Sequence, residues 1–198
     1  MSIEQWNKLS KLFDTSSSQV DRRAADNVLI AWPVFINFLQ THLGNSRETK
    51  ILDYGCWAGG FCHELYRLWY DVTGVDISPD MIWAAQASSP SWIDYMIGDA
   101  SVLTEKYDTI TSVMSLQFIE DIDTCIEKLC THCRQYILFA VFNPKWVEEC
   151  LSSKKGSFPD RENWVSQGVS LPVFHRSKKE YDNMFQANGF LNVFEEYP

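Results

Sequence analysis

The stretch Lys50-Ile-Leu-Asp-Tyr-Gly-Cys-Trp-Ala-Gly-Gly-Phe61 decides the fold class of this chain. An apolar run ends in an acid and passes through a glycine turn into a helical pattern, which predicts a strand, a turn and a helix beginning near Gly60. Gly55 and Gly59 can adopt positive φ or let a ligand approach the backbone. The helix directs unpaired N–H groups and the positive end of its dipole into the turn, so the turn suits a carboxylate or a phosphate.

A second acid follows at the end of the next predicted strand, Gly74-Val-Asp-Ile77. The carboxylate of Asp76 can accept the hydroxyl protons of a ribose there, and together with the anion site this implies a nucleoside-bearing cofactor. Ser78 and Pro79 are equally typical of a helix start, as N-cap and first helical residue, and both interpretations can hold at once. The turn lacks the second glycine of G-x-G-x-x-G, which disfavours a nucleotide-dependent oxidoreductase.

The turn resembles the first motif of the class I S-adenosylmethionine-dependent methyltransferases, an acid-x-Gly-x-Gly-x-Gly run. Asp53, Gly55 and Gly59 match this motif, whereas Trp57 stands where the family usually has glycine. The resemblance continues along nearly the whole chain, in Met96-Ile-Gly-Asp-Ala100, in 107–121, in 136–144, and in 174–190 with its His-Arg pair and Asn-Gly-Phe turn. The last of these patterns looks like the branch that methylates small metabolites.

The resemblance implies an S-adenosylmethionine site in the turn and after the neighbouring strands. It places the methionine moiety on the turn, the ribose on Asp76, the adenine on Asp99 with Ala100, and the cofactor's amino group on backbone near Met114. The residues assigned to the cofactor in this way are Asp53, Gly55, Cys56, Gly59, Asp76, Ile77, Met81, Asp99, Ala100 and Met114.

The acceptor side is predicted from the same resemblance, with Trp57, Gln117, Phe118, Asn143 and His175 as substrate-binding residues. The small-molecule branch often has a His after the fourth strand and another before the Pro that ends the fifth. This chain has Gln117 and Asn143 at those places, and neither can take a proton. His175 is therefore the remaining candidate for a general base, and a structural hydrogen-bonding role beside Arg176 is the alternative.

The function expected from these residues is methyl transfer to an oxygen or nitrogen of a small molecule by in-line displacement. A general base is needed only if the acceptor arrives protonated, and no metal is expected. The alternative is a catalytically inactive cofactor-binding or regulatory protein, which Trp57 and the missing base positions favour.

Composition limits the partners. The 17 basic and 26 acidic residues give a formal net charge of -9, and short basic groups alone do not favour a nucleic-acid substrate. The longest uncharged apolar stretch, 136–142, is far shorter than the ~20 residues of a membrane span, and the start of the chain lacks a secretory signal. These features predict a cytoplasmic protein with six reduced cysteines. Cys130-Thr-His-Cys133 lacks a second ligand pair for zinc.

The predicted fold is a single Rossmann-like, doubly wound α/β domain with a mostly parallel sheet and helices on both faces. Strands are predicted at about 50–54, 71–76, 93–97, 107–114 and 135–142.

Residues 1–45 form a helical lid with helices at 4–13 and 21–43, and residues 46–143 form the cofactor-binding core. Residues 144–198 comprise an irregular flap over 144–175, a last helix and a last strand from Leu191 to Tyr197. A further edge strand, usual in this superfamily, is not found in the sequence: either the chain is shortened or the sheet closes with six strands, and in the second case an apolar edge would be open to pairing with another chain. The oligomeric state stays open.

Overall fold

The computed structural model of the protein describes residues 3–10, 27–153, 158–166 and 168–191. Five strands form one parallel sheet in the order β3-β2-β1-β4-β5. The strands are β1 (Lys50–Tyr54), β2 (Asp71–Asp76), β3 (Asp94–Ile97), β4 (Tyr107–Val113) and β5 (Cys133–Ala140). This arrangement confirms the predicted Rossmann-like fold, and each strand lies within two residues of its expected bounds at either end.

Helices cover both faces of the sheet because side chains alternate along each strand. Leu52 of β1 lies in a buried cluster with α5 (Ile122–His132) and α7 (Lys178–Ala187), and its neighbour Ile51 lies in a second cluster on the opposite face. That second cluster contains apolar residues of α2 (Trp32–His42), α3 (Gly60–Arg67) and α4 (Pro79–Ser88). The buried core therefore fixes where the strands end, and with them the site.

The predicted start of α4 is confirmed. The Ser78 hydroxyl accepts a hydrogen bond from the Met81 N–H at 3.3 Å, and Pro79 is the first helical residue. Because this cap lies two residues after Asp76, the helix begins directly beside the end of β2.

The first helix, α1 (Ile3–Ser10), lies over the ends of the strands. The Asn7 side-chain oxygen accepts a 2.7 Å hydrogen bond from Ser78, and the Gln5 amide donates to the Ser170 carbonyl at 2.8 Å. The predicted helices at 4–13 and 21–43 extend into residues 11–26, which lie outside the described residues. In the second of them, a π-helical turn at Asn27–Ala31 precedes α2, whose Phe35 and Leu39 are buried against the sheet. We therefore assign α2 to the core rather than to the lid.

The prediction that 144–175 is irregular is wrong. The segment contains α6 (Pro144–Ser153) and an antiparallel hairpin of β6 (Asn163–Ser166) and β7 (Val169–Pro172). The apolar face of α6 is short, with Val147 and Cys150 buried, so it gives a weak periodic signal. Gly168, at φ +79°, lies in the turn of the hairpin, which favours residues that tolerate positive φ.

The predicted last strand, 191–197, lies outside the described residues except for Leu191. Within the part of the chain that the structure describes, no helix is both long and apolar enough to cross a bilayer.

Candidate cofactor and acceptor site

The glycine turn lies at the carboxyl ends of β1 and β2, where parallel α/β sheets bind ligands. The N–H groups of Gly55 and Cys56 both donate to the Val75 carbonyl, at 2.8 and 3.0 Å, which ties the turn to β2. Gly55 has φ +75°, and a Cβ on it would lie 2.5 Å from Ser115 Cβ in the loop after β4. Gly59 has φ +77° as the N-cap of α3. Only glycine fits both the conformation and the close approach at position 55.

Asp76 connects the turn to the start of α4. Its Oδ2 accepts the Trp57 N–H at 3.0 Å, and its Oδ1 accepts the Ser78 N–H at 2.9 Å. The side chain is 8% exposed, and this burial raises the pKa of Asp76 to about 6. A carboxylate has about four lone-pair sites, so acceptor capacity remains for the two hydroxyls of a ribose.

Asp53 lies beneath the turn and is 3% exposed. It stands opposite Thr111 in the sheet, and the Thr111 hydroxyl donates to its Oδ1 at 2.9 Å. The Cys62 thiol donates to Oδ2 at 3.5 Å. These two neutral donors do not offset burial, which raises the pKa of Asp53 from 3.8 to about 7. A positively charged ligand above the turn would favour the ionised form.

The residues predicted for adenine and ribose follow β2 and β3. The Gly98 N–H donates to the Asp76 carbonyl at 2.9 Å, which brings the end of β3 to the end of β2. Asp99 is exposed and caps the short turn that follows, with the Ser101 N–H donating to Oδ1 at 2.7 Å. The Ser101 side chain, and after it this backbone hydrogen bond, lowers the pKa of Asp99. Of the other residues predicted for the cofactor, Ala100 and Met81 are buried and Ile77 is partly buried.

Met114, after β4, has φ +55°, which is unusual for a residue other than glycine. Its N–H donates to the Ala140 carbonyl of β5 at 2.8 Å. The N–H is therefore engaged in the sheet, and a contact from backbone at this position to an amino group would use the carbonyl oxygen.

An aromatic cluster occupies the acceptor side of the strand ends. The Trp6 ring of α1 packs edge-to-face against Trp57 of the turn, with centroids 5.8 Å apart, and against Phe118 after β4, at 5.1 Å. Phe118 in turn contacts Trp164 of β6 at 5.7 Å and Phe142, which follows β5, at 5.9 Å. We define the strand-end aromatic cluster as Trp6, Trp57, Phe118, Phe142, Phe158 and Trp164.

The structure brings together some of the predicted acceptor residues. Trp57 and Phe118 meet through Trp6, and Gln117 is buried in the turn that carries Phe118, with its carbonyl accepting the Phe174 N–H at 2.8 Å. Asn143 is exposed instead, and its side-chain oxygen accepts the Lys145 N–H at the start of α6.

His175 is exposed at the rim of the cluster, with its ring centroid 6.0 Å from that of Phe158. Its neighbour Arg176 donates to the carbonyls of Ile119 and Glu120, at 2.8 and 3.0 Å, and more weakly to that of Phe174. The His-Arg pair thus contains a residue that fixes the loop after β4. Sequence analysis missed this role, as it missed Trp6, Phe142, Phe158 and Trp164 as members of the cluster.

The six cysteines are buried free thiols in the structure. Burial raises the pKa of Cys130 to about 12 and that of Cys133 to about 11. Burial likewise raises the pKa of Cys56 well above its ordinary value, which argues against a nucleophilic thiol in the turn. The described residues contain no group of three or more metal-ligating His, Cys, Asp or Glu side chains.

Comparison with known proteins identifies the family. Residues 17–195 match the family described as a methyltransferase domain, and the chain belongs to this family. Together with the fold, this confirms the predicted membership of the class I S-adenosylmethionine-dependent methyltransferases and the assignment as an enzyme.

Individual relatives are more distant. The chain is 36% identical to the ubiquinone biosynthesis O-methyltransferase of Chelativorans sp. (strain BNC1) over 85 residues, which are 40% of this chain and 34% of that protein. The match thus spans about a third of the length of this curated relative.

Among solved structures, magnesium protoporphyrin IX methyltransferase from Synechocystis PCC 6803, solved with bound S-adenosylhomocysteine, has a TM-score of 0.68 at 18% identity over 95% of this chain and 84% of its own. A chain of the complex between the Haloferax volcanii Trm112 methyltransferase activator and a methyltransferase has a TM-score of 0.60 at 15% identity, over 88% of this chain and 78% of its own. At these identities the likeness shows a shared fold.

Proposed function

We propose that the protein transfers the methyl group of S-adenosylmethionine to an oxygen or nitrogen atom of a small-molecule acceptor. The observation that carries this proposal is the position of the Asp76 carboxylate. It lies at the end of β2, is bound to the glycine turn through the Trp57 N–H, and adjoins the strand-end aromatic cluster through Trp57 itself. A carboxylate suited to a ribose and a group of aromatic rings suited to an apolar acceptor therefore share one edge of the sheet, which supports the proposal.

The residues present fit this cofactor. The turn of Gly55 and Gly59, both at positive φ, would hold the amino-acid tail. Asp76 retains lone pairs for the ribose hydroxyls, Asp99 with Ala100 would hold the adenine, and the Met114 carbonyl would accept from the amino group. When bound, S-adenosylmethionine supplies an electrophilic methyl group on a positively charged sulfur. Asp53, buried beneath the turn, would oppose that positive charge when ionised.

The protein's contribution to the reaction is mainly positioning. The acceptor's lone pair forms a bond to the methyl carbon while the carbon–sulfur bond breaks, and any proton on the acceptor atom leaves to solvent or to a base. Holding the two reacting atoms in line can contribute roughly 7–11 kcal/mol at best. The cluster would exclude water from the acceptor, since α1 lies across the strand ends and contributes Trp6.

His175 is the proposed base if the acceptor arrives protonated. Its ring is exposed at the cluster rim, where it can exchange protons with solvent. A His175→Gln variant would then lose the activity that depends on an unprotonated base, so the acidic limb of the pH–rate profile would flatten, and it would keep cofactor affinity. A wild-type profile in this variant would remove the assignment.

The proposal is tested by titration calorimetry with S-adenosylhomocysteine on wild-type protein, Asp76→Ala and Asp94→Ala. Asp94 is an exposed acid at the start of β3 and serves as the matched control. We expect Asp76→Ala to weaken binding at least tenfold, because buried hydroxyls lose a charged acceptor, which is worth about 1.5–3 kcal/mol. Equal affinities for the two variants would contradict the ribose assignment.

A second candidate function is cofactor binding without catalysis. It is favoured by Gln117 and Asn143, which stand where related enzymes carry a proton-accepting side chain. Tight S-adenosylhomocysteine binding with no methyl transfer to a panel of phenols, carboxylic acids and amines would support this candidate over the first.

A further inference from the structure

Two buried polar side chains at the acceptor end have no hydrogen-bond partner among the described residues. Gln117 is 2% exposed, and both its Nε2 and its Oε1 are unpartnered. Ser166 is 4% exposed, and its Oγ is unpartnered. Leaving such groups unpaired in a protein interior is unfavourable, and buried polar side chains are nearly always satisfied. The Gln117 amide and the Ser166 hydroxyl are therefore available to hydrogen-bond a ligand, since they form no hydrogen bond within the described residues.

Both residues lie in segments that contribute a ring to the strand-end aromatic cluster. Gln117 directly precedes Phe118, whose ring lies in the cluster, and Ser115 in the same turn donates to the Gly55 carbonyl at 3.2 Å. Ser166 is two residues from Trp164 on β6, so the two share a face of the hairpin, and the Trp164 ring contacts Phe118. The unpartnered groups thus belong to two segments whose rings, Phe118 and Trp164, contact each other in the cluster.

The rings that form the cluster carry no ionisable group. Its buried members and the residues packed against them are apolar or aromatic, and the nearby guanidinium of Arg176 is engaged by backbone carbonyls. The ligand that suits such walls is flat and uncharged, because aromatic rings stack on or meet edge-on another ring.

The Gln117 amide decides between two kinds of ligand that aromatic walls can hold. An alkylammonium cation would be attracted to the rings, but it only donates or lacks hydrogen-bonding groups, so Nε2 would stay without an acceptor. A hydroxyl on an aromatic ring both accepts, from Nε2, and donates, to Oε1. Such a hydroxyl pairs with both the donor and the acceptor of the amide.

We propose that the strand-end aromatic cluster binds a planar aromatic acceptor that carries a hydroxyl group, and that Gln117 is the residue that selects it by pairing with that hydroxyl. Ser166 supplies a further hydrogen bond to the same ring substituents. The proposal rests on the proposed function only in taking this ring as the methyl acceptor. The recognition itself does not require the cofactor.

The direction in which the melting temperature of a Gln117→Leu variant changes distinguishes a ligand-binding role of Gln117 from a structural one. Replacing it with leucine removes two unpaired polar atoms from the interior at nearly constant volume. We therefore expect Gln117→Leu to raise the melting temperature while it weakens binding of the hydroxylated ring. A residue that merely supports the fold would lower the melting temperature when replaced.

The test uses titration calorimetry with three probes, with and without saturating S-adenosylhomocysteine. They are 2-naphthol, naphthalene and the benzyltrimethylammonium ion, which compare a hydroxylated ring, the bare ring and a ring-bearing cation. In wild-type protein we expect 2-naphthol to bind at least tenfold more tightly than either of the others. Gln117→Leu should abolish the difference between 2-naphthol and naphthalene, and Ser166→Ala should weaken 2-naphthol severalfold. Gln86→Leu, an exposed control on α4, should change neither binding nor melting temperature.

Equal binding of 2-naphthol and naphthalene, tighter binding of the cation, or absence of binding by all three would overturn the proposal. A Gln117→Leu variant that is less stable and keeps the preference for 2-naphthol would do the same. Titration with S-adenosylhomocysteine distinguishes the two proposals. If the protein binds S-adenosylhomocysteine but not 2-naphthol, the proposed function stands and the ring site is wrong. If it binds 2-naphthol but not S-adenosylhomocysteine, the proposed function is contradicted and the ring site is supported.

Discussion

The buried carboxyl of Asp53 predicts that the protein loses stability as the pH rises through neutrality. Its partners are one hydroxyl and one thiol, and burial raises its pKa from 3.8 to about 7. Because the folded-state pKa lies above the unfolded value, the folded state binds more protons between these two pH values. The stability that protonation provides is therefore present at low pH and is lost as the pH rises through about 7.

The size of this loss follows from the shift of about three pKa units, each worth 1.36 kcal/mol, which gives roughly 4 kcal/mol in all. About 2–3 kcal/mol of it falls between pH 5 and pH 8, since the unfolded carboxyl is already ionised over most of that range. This is a large part of the ~5–15 kcal/mol that stabilises a typical domain. Asp76, with its pKa raised by burial to about 6, adds a loss of the same sign at slightly lower pH.

The assay is urea unfolding followed by tryptophan fluorescence at pH 5, 6, 7 and 8, for wild-type protein, Asp53→Asn and Asp94→Asn. The asparagine amide keeps the volume and removes the charge, so we expect Asp53→Asn to lose about 2–3 kcal/mol less than wild type between pH 5 and pH 8. The exposed control Asp94→Asn should follow the wild type. Parallel curves for wild type and Asp53→Asn would refute the reasoning, as would a wild-type stability that rises over this window.

Three further changes test the site. In urea unfolding, Gly55→Ala should destabilise the protein by about 2–4 kcal/mol, because alanine disfavours positive φ and its Cβ would collide with Ser115. A second change, Ser115→Gly, should remove the collision and leave a loss of about 1–2 kcal/mol. No recovery in the double variant would contradict the packing described. Arg176→Lys should cost about 1.5–3 kcal/mol, because an ammonium cannot reach the carbonyls of the loop after β4 as the guanidinium fork does, and an unchanged melting curve would argue against this role. Affinity for S-adenosylhomocysteine should rise between pH 5 and pH 7.5 as Asp76 ionises near pH 6, and should be nearly flat in Asp76→Asn; calorimetry showing the same slope in both would assign the pH dependence to another group.

The sheet could be predicted closely because its strands carry strong local signals. β1 and β2, for example, are short runs buried along nearly their whole length, and each ends at or next to an acid, Asp53 or Asp76. The start of α4 was equally readable from Ser78 and Pro79, since capping depends on neighbouring residues alone. Such elements are specified by sequence over a few positions.

The acceptor side could not be predicted in the same way because it is assembled from distant segments. Trp6 meets Phe118 across more than a hundred residues, and Gln5 bonds to Ser170 on the hairpin. Alternation in β6 and β7 is short, and with only four residues in each strand it does not stand out from the surrounding polar residues. The lack of partners for Gln117 is a property of the folded state, so the sequence could mark the residue only by its place in a motif.

The role of Trp57 could be predicted only in part. The resemblance marks the position as one that usually holds glycine, and the structure shows why, with φ at +53°. In this chain the Trp57 N–H binds Asp76 while its ring joins the aromatic cluster. The departure from the motif therefore links the predicted cofactor residue to the strand-end aromatic cluster, in a backbone conformation that disfavours a side chain.

The most direct measurement of the central claim is a crystal structure of the protein with S-adenosylhomocysteine bound. We predict that the ribose hydroxyls lie about 3 Å from the carboxylate oxygens of Asp76, with the amino-acid tail against Gly55. A nucleoside bound away from the ends of β1 and β2, with Asp76 still bonded to Trp57 and Ser78 alone, would contradict it.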